Sequence, residues 1–158
     1  MIGMFYNCDA LTSLNLDNFK TKSVNSMRRM FEGCNKLTSL NLSSFDTSSV
    51  TDIVGLFSNC KSLLSLNLNN FNTSAVTVMD VMFINCSSLK YLDLNNFDTS
   101  SVTSFHGIFK FCISLIGLKI DNFNTSLSGN LNQMFFQCSS LISLNIVNFD
   151  HSSVTRNI

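Results

Sequence analysis

The chain has 158 residues, of which 45% are hydrophobic and 13% are charged, and it contains no proline. Because soluble domains usually carry about 25% charged residues, Ser, Asn and Thr must cover most of this surface. The formal net charge is zero, which leaves no basic excess for nucleic acid and no acidic excess for basic partners.

A 26-residue unit follows itself six times without a gap, and the units begin near residues 1, 27, 53, 79, 105 and 131. These units are called copies one to six. A repeat of this length is typical of solenoid proteins. Each copy carries a phenylalanine, and a cysteine follows it by three residues: Phe5 and Cys8, Phe31 and Cys34, Phe57 and Cys60, Phe83 and Cys86, Phe109 and Cys112, Phe135 and Cys138.

An L-x-x-L-x-L motif follows the cysteine, and residues 37–42 (Leu-Thr-Ser-Leu-Asn-Leu) are an example. This motif is the strand motif of leucine-rich repeats. Leu40 and Leu42 alternate with Ser39 and Asn41, so a strand here buries the leucines and exposes the polar residues. The motif therefore predicts one short strand in each copy.

The second half of each copy has the spacing of a helix. Val50, Ile53 and Phe57 lie at positions i, i+3 and i+7, which share one face of a helix. Thr47 and Ser48 precede this face and could cap its first N–H groups. The spacing predicts about two helical turns in each copy.

These elements together predict an α/β repeat solenoid of the leucine-rich-repeat kind, with one short parallel strand and one short helix in each of six units. Neither element can bury its apolar face alone, so stacking of the copies must supply the core. Copy five departs from the pattern because Ser128 replaces a valine. We expect a local shift or a loosened helix start near residues 126–130.

Three motifs resemble BspA-type leucine-rich repeats, the 26-residue repeats of bacterial and protist surface proteins. They are F-(D/N)-T-S-x-V-T, M-x-x-M-F-x-x-C and L-x-x-L-x-L, and they recur along the whole chain. The resemblance implies a module at the cell surface or outside the cell, with a role in adhesion and host-matrix binding. It implies neither shared catalytic residues nor fixed ligand-binding residues.

The six cysteines occupy one equivalent apolar position, which favours a structural ladder of buried free thiols. Stacking would place neighbouring members about 5 Å apart, so disulfides are an alternative. The C-x-x-C spacing of a tight zinc site is absent. His106 and His151 have no motif partner, and no nucleophile or phosphate-loop motif occurs. We therefore expect no enzymatic activity, no catalytic residues, no metal and no cofactor.

The outward strand positions are the expected binding face, because solenoids bind through extended surfaces. Most copies have Ser and Asn there, whereas copies four and five have Lys90, Tyr91, Asp93 and Lys119. An aromatic residue among mixed charges is typical of an interface anchor. We interpret these four residues as a candidate binding site for a protein or another macromolecule.

A structural spacer, or a protein that assembles by end-to-end stacking, is the alternative function. Residues 154–158 begin a seventh unit, so we expect the chain to be part of a longer array whose uncapped ends could stack. No apolar run approaches the ~18 residues of a membrane span, and the first residues do not have the character of a signal peptide.

Overall fold

Residues that occupy the same place in successive copies lie side by side in the computed structural model, which describes residues 1–150 and 152. Parallel backbone bridges join the last residue of each copy to its equivalent in the next: Ser26 to Asp52, Asp52 to Val78, Val78 to Ser104, and Ser104 to Asn130. Each copy is therefore one coil of a stacked repeat. His151 and the predicted start of a seventh copy (154–158) lie outside the described residues.

Two strands form where the L-x-x-L-x-L motif predicts them. β1 spans Tyr91–Asp93 and β2 spans Gly117–Lys119, and the two strands pair in parallel with Tyr91 opposite Gly117. The motif keeps the alternation without regular pairing in copies one to three, where, for example, Leu42 is buried and Asn41 is exposed, whereas Ile146 of copy six is exposed. The strand prediction therefore holds for its two faces, but regular strands occur only in copies four and five among the described residues.

The predicted helices are wrong: the described residues contain no α-helix. The backbone turns into the left-handed region twice in each copy, at the third and seventh positions, and a right-handed helix cannot pass through such residues. These residues are Gly3, Asn7, Arg29, Gly33, Gly55, Asn59, Val81, Asn85, Gly107, Phe111, Gln133 and Gln137.

Backbone N–H groups in this turn-rich segment bond the next copy rather than a residue four positions earlier. The N–H of Phe31 donates to the Leu56 carbonyl at 3.0 Å, and the N–H of Gly33 donates to the Ser58 carbonyl at 2.8 Å. Tight turns close within each copy, such as Cys34 N–H to Phe31 O at 3.2 Å. Successive turns of three residues bury the same positions that a helix would bury. The apolar spacing therefore predicted a helix where the chain forms turns.

The buried threonines link copies rather than cap helices. The Thr47 hydroxyl donates to the Asn72 carbonyl at 2.9 Å and accepts the Asn72 N–H at 2.8 Å. Ser48 belongs to a turn instead, because its N–H and hydroxyl both donate to the Asp46 carboxylate. The capping interpretation of Thr47 and Ser48 is therefore also wrong, although both side chains satisfy backbone or carboxylate groups.

Phenylalanine rings form the centre of the core. Consecutive rings of the first column, from Phe5 to Phe135, stack at centroid distances of 5.6 to 5.8 Å. Offset stacking at this distance adds about 0.5–1.5 kcal/mol per pair beyond the burial of the rings. The apolar core therefore runs continuously through all six copies.

Copy five accommodates Ser128 without a break in the backbone pattern. Ser128 is buried, and its N–H donates to the Thr125 carbonyl at 2.9 Å, as the valine does in other copies. The next residue, Gly129, donates to the Thr103 carbonyl at 3.2 Å. Residues 126–130 therefore keep the inter-copy bonds, and the expected loosening of a helix start does not apply because there is no helix.

Candidate functional site

The two strands bring three of the four predicted binding residues together. Tyr91 and Asp93 point outward from β1, and Lys119 points outward from β2, next to Asp93. Lys90 precedes β1 and has a backbone role, because its carbonyl accepts the N–H groups of Ile116 (2.8 Å) and Gly117 (3.2 Å). The predicted cluster is therefore compact around Tyr91, with Lys90 beside it.

The Tyr91 ring lies against Gly117 in the neighbouring copy. A Cβ atom added to Gly117 would lie 3.0 Å from Cδ1 and 3.4 Å from Cε1 of Tyr91, which is too close without a shift of the ring. Tyr91 is still 64% exposed. The other copies have serine in this column. A large side chain therefore lies beside a glycine only in copies four and five.

Asp93 and Lys119 form an ion pair across the two strands, with Oδ2 and Nζ 3.0 Å apart. The backbone N–H of Asn95 donates to Asp93 Oδ1 at 3.1 Å. This N–H and the Lys119 ammonium lower the pKa of the Asp93 carboxyl. Because both side chains are exposed, the pair contributes at most about 1 kcal/mol to stability; its main effect is to hold two opposite charges beside Tyr91.

A groove of about 500 Å³ runs over this surface and crosses four copies. Copy three supplies residues 66–69, copy four residues 91–93, copy five residues 117–119, and copy six Ser143. Leu68, Leu92 and Leu118 are buried and form its floor. The groove therefore presents a polar rim with one exposed ring.

Sequence reasoning missed part of this groove. Asn67, Asn69 and Ser143 have the commonest residue types of the strand face, so nothing in their identity separates them from the other copies. Gly117 was visible as the one glycine in a serine column, and it could have marked the place where the ring packs.

The six cysteines are free thiols. Five thiols donate to the phenylalanine carbonyl 29 residues earlier, at 3.1 to 3.3 Å. Burial raises the pKa of the Cys60 and Cys112 thiols to about 12. A thiolate is the reactive form of cysteine, so this column has a structural rather than a nucleophilic character.

A second exposed aromatic cluster lies on the turn-rich side and was not predicted. The rings of Phe111 and Phe136 meet edge to face at 5.6 Å, and Lys110 Nζ lies 5.0 and 5.3 Å from their centroids. Phe111 has a φ of +62°. Equivalent positions carry Asn or Gly in the first four copies, which adopt this conformation more readily.

Within residues 1–150 and 152, no three His, Cys, Asp or Glu side chains are grouped so that they could hold a metal ion. The same part of the chain contains no helix of the length and hydropathy needed to cross a membrane.

Comparison with known protein families matches the chain to the family described as "Mycoplasma protein of unknown function, DUF285". The match covers residues 1–112 and again 85–157. Two overlapping matches are expected of a chain that repeats one unit. Comparison with curated proteins gives no match, and comparison with solved structures gives none either. The two segments together span nearly the whole chain, and the protein therefore belongs to the DUF285 family of repeat proteins.

Proposed function

We propose that this protein is a non-catalytic recognition and adhesion module that binds a macromolecule in the groove around Tyr91. In this proposal it is a leucine-rich-repeat module of the BspA kind, displayed at the cell surface or outside the cell. The main supporting observation is that three features occur together in copies four and five. These are the exposed ring, the ion pair of Asp93 with Lys119, and the two regular strands.

The regular columns support the proposal by contrast, because folding accounts for them. The phenylalanines stack, the threonines bond the next copy, and the thiols bond the preceding copy. Tyr91, in contrast, leaves most of its surface in water, where it contributes little to the core. Tyrosine is one of the residues most enriched at the hot spots of interfaces.

Binding of the labelled protein to cultured animal cells and to extracted extracellular matrix tests the proposal. Tyr91→Ala should lower the affinity at least about tenfold, as expected for an interface anchor. Gly117→Ser should also weaken binding, because its new side chain displaces the ring. Ser39→Ala is the matched control, since it changes the same column in copy two, outside the groove. Saturable binding that is equal in all four proteins would contradict the proposal.

Self-assembly by end-to-end stacking is a second candidate, favoured by the two end surfaces. Met4 is 52% exposed, whereas the equivalent residue Met30 is fully buried by the preceding copy. On the turn-rich side the Phe5 N–H donates to the Met30 carbonyl, so the carbonyls there face the preceding copy. On that side copy one therefore presents acceptors beside an apolar surface, and copy six presents the matching N–H groups.

Light scattering of the purified protein over a concentration series tests this candidate. If the ends stack, the mean mass should rise with concentration, and Met4→Lys should keep the protein monomeric because it places a charge in the contact. Ile142→Lys is the control, since Ile142 is 81% exposed and lies on the strand side of copy six. A monomer at every concentration would exclude self-assembly.

A further inference from the structure

We propose that the Tyr91 groove binds a neutral glycan whose chain lies along the repeat stack. This inference rests on the proposed binding function of the same groove and names its ligand class.

The first support is the way in which the Tyr91 ring is presented. The Cδ1–Cε1 edge of the ring lies beside Gly117, and the side chain is still 64% exposed. Most of the ring surface is therefore open to a ligand. An aromatic face carries partial negative charge and attracts groups with a positive edge. The C–H groups on the flat side of a pyranose ring are such groups.

The second support is the kind of polar group that surrounds the ring. Asn69 and Ser143 line the groove. Among the residues that the structure describes, neither these side chains nor the Tyr91 hydroxyl has a hydrogen-bond partner. Amide and hydroxyl groups both donate and accept hydrogen bonds. Sugar hydroxyls do the same, so the groove offers matching partners on both sides of the ring.

The balance of charge favours a neutral ligand over a charged one. Asp93 and Lys119 neutralise each other at 3.0 Å, so the groove lining supplies no net charge to attract a sulfated, sialylated or phosphorylated polymer. Lys90 lies outside the lining.

The shape of the groove argues against a peptide. Peptides that extend a sheet need a free strand edge, but β1 pairs with β2 and further copies stack on both sides. Peptides that anchor through apolar side chains need open apolar pockets, whereas Leu68, Leu92 and Leu118 of this floor are buried and Leu66 is partly buried. The groove crosses four copies, which is about 15 Å at the spacing of adjacent strands, and this length suits a short oligosaccharide.

Tyrosine fluorescence tests the inference directly, because the chain has two tyrosines and no tryptophan. In a Tyr6→Phe background, Tyr91 is the sole tyrosine. This protein is titrated with neutral oligosaccharides of hexoses and N-acetylhexosamines, and with sialylated and sulfated versions of the same chains. We expect saturable fluorescence changes with neutral chains. Direct binding to the immobilised sugars should fall at least about tenfold in Tyr91→Ala and stay within a few-fold in Tyr91→Phe, which keeps the ring.

The controls separate this inference from the function on which it rests. Ser39→Ala should bind like the parent protein. If cell or matrix binding depends on Tyr91 but survives periodate oxidation of the sugars and is lost after protease treatment, the ligand is a protein and the glycan inference is wrong. If no neutral chain binds, or if Tyr91→Ala binds them equally well, the inference is also wrong. If Tyr91 matters to no binding at all, the proposed function fails with it.

Discussion

At two positions of each copy the fold requires a backbone conformation that most side chains disfavour. The third and seventh positions of each copy require positive φ, which Gly and Asn adopt most readily. Val81 and Phe111 occupy such positions at φ +50° and +62°. Left-handed backbone costs an ordinary residue roughly 1–2 kcal/mol, so these two side chains remain at the expense of stability.

The strain at Val81 gives a prediction about stability. Val81→Asn should raise the free energy of unfolding by about 1 kcal/mol, because Asn tolerates positive φ far better than a β-branched residue. Urea denaturation followed by circular dichroism measures the change. Val102→Asn is the control, since Val102 lies in the same copy at ordinary φ and is fully buried; it should destabilise because the new amide would lie in an apolar site. A loss of stability in both variants would contradict the assignment of strain.

The same scale shows how far the sequence predicts the site. Tyr91, Asp93 and Lys119 stood out because they break uniform columns, and the structure places them side by side. Asn69 and Ser143 could not be found, because a groove depends on how copies stack and not on residue type. Lys90 also breaks its column, yet it lies outside the groove lining.

At the scale of elements, burial was predictable and backbone conformation was not. Val50, Ile53 and Phe57 are all buried, as a helix would have buried them. The chain instead turns at Gly55 and Asn59 and gives its N–H groups to the next copy. Apolar spacing indicates which side chains face inward, and both a helix and a series of turns give the same spacing here. Only the Gly and Asn residues at the turns argued against a helix.

The thiol column predicts that the protein loses stability in alkali. Burial raises the pKa of Cys60 and Cys112 to about 12 and that of Cys34 and Cys138 to about 11. Unfolded cysteine titrates near 8.5. The stabilising contribution is therefore complete below that pH and is lost as the pH rises towards the folded values. At pH 10 we expect a loss of about 2 kcal/mol for each well-buried thiol.

Urea midpoints at pH 7, 9 and 10 measure this loss. The double variant Cys60→Ala and Cys112→Ala is the control, because it removes two raised pKa values. Its midpoint should fall less between pH 7 and pH 10 than that of the parent protein, whatever its stability at pH 7. Equal falls would contradict the link between buried thiols and alkaline unfolding. Fewer than six free thiols after denaturation without reductant would reject the free-thiol ladder itself.

At the scale of the whole molecule, the contacts between copies depend on one fixed spacing. The side-chain hydrogen bonds between copies join residues 23 to 29 positions apart. Stability of such an array is approximately a sum over copies and their nearest neighbours. Copies should therefore be removable as units, provided that the spacing is kept.

Deletion of copy two tests this spacing. Removal of residues 27–52 should leave a folded five-copy protein of lower stability, because Ser26 then precedes Ile53 as it now precedes Met27. Removal of residues 27–51 shifts copy one by one position, so its side chains no longer meet their partners. In that protein trypsin should cut rapidly at Lys20 and Lys22, whereas the 26-residue deletion should protect both. Equal cleavage of the two proteins would contradict the fixed register.

The direction of the backbone hydrogen bonds on the turn-rich side gives the stack an electrical polarity. There the N–H groups of Arg29, Phe31 and Gly33 all point towards the following copy. Peptide dipoles that point the same way add up, as they do in an α-helix, but here the positive end lies at the last copy instead of the first. The threonine row beside it runs the other way, as in Thr103 N–H to Thr77 O, so the field is confined to one side. An anionic group is therefore favoured at the copy-six end of the turn-rich side and a cationic group at its copy-one end.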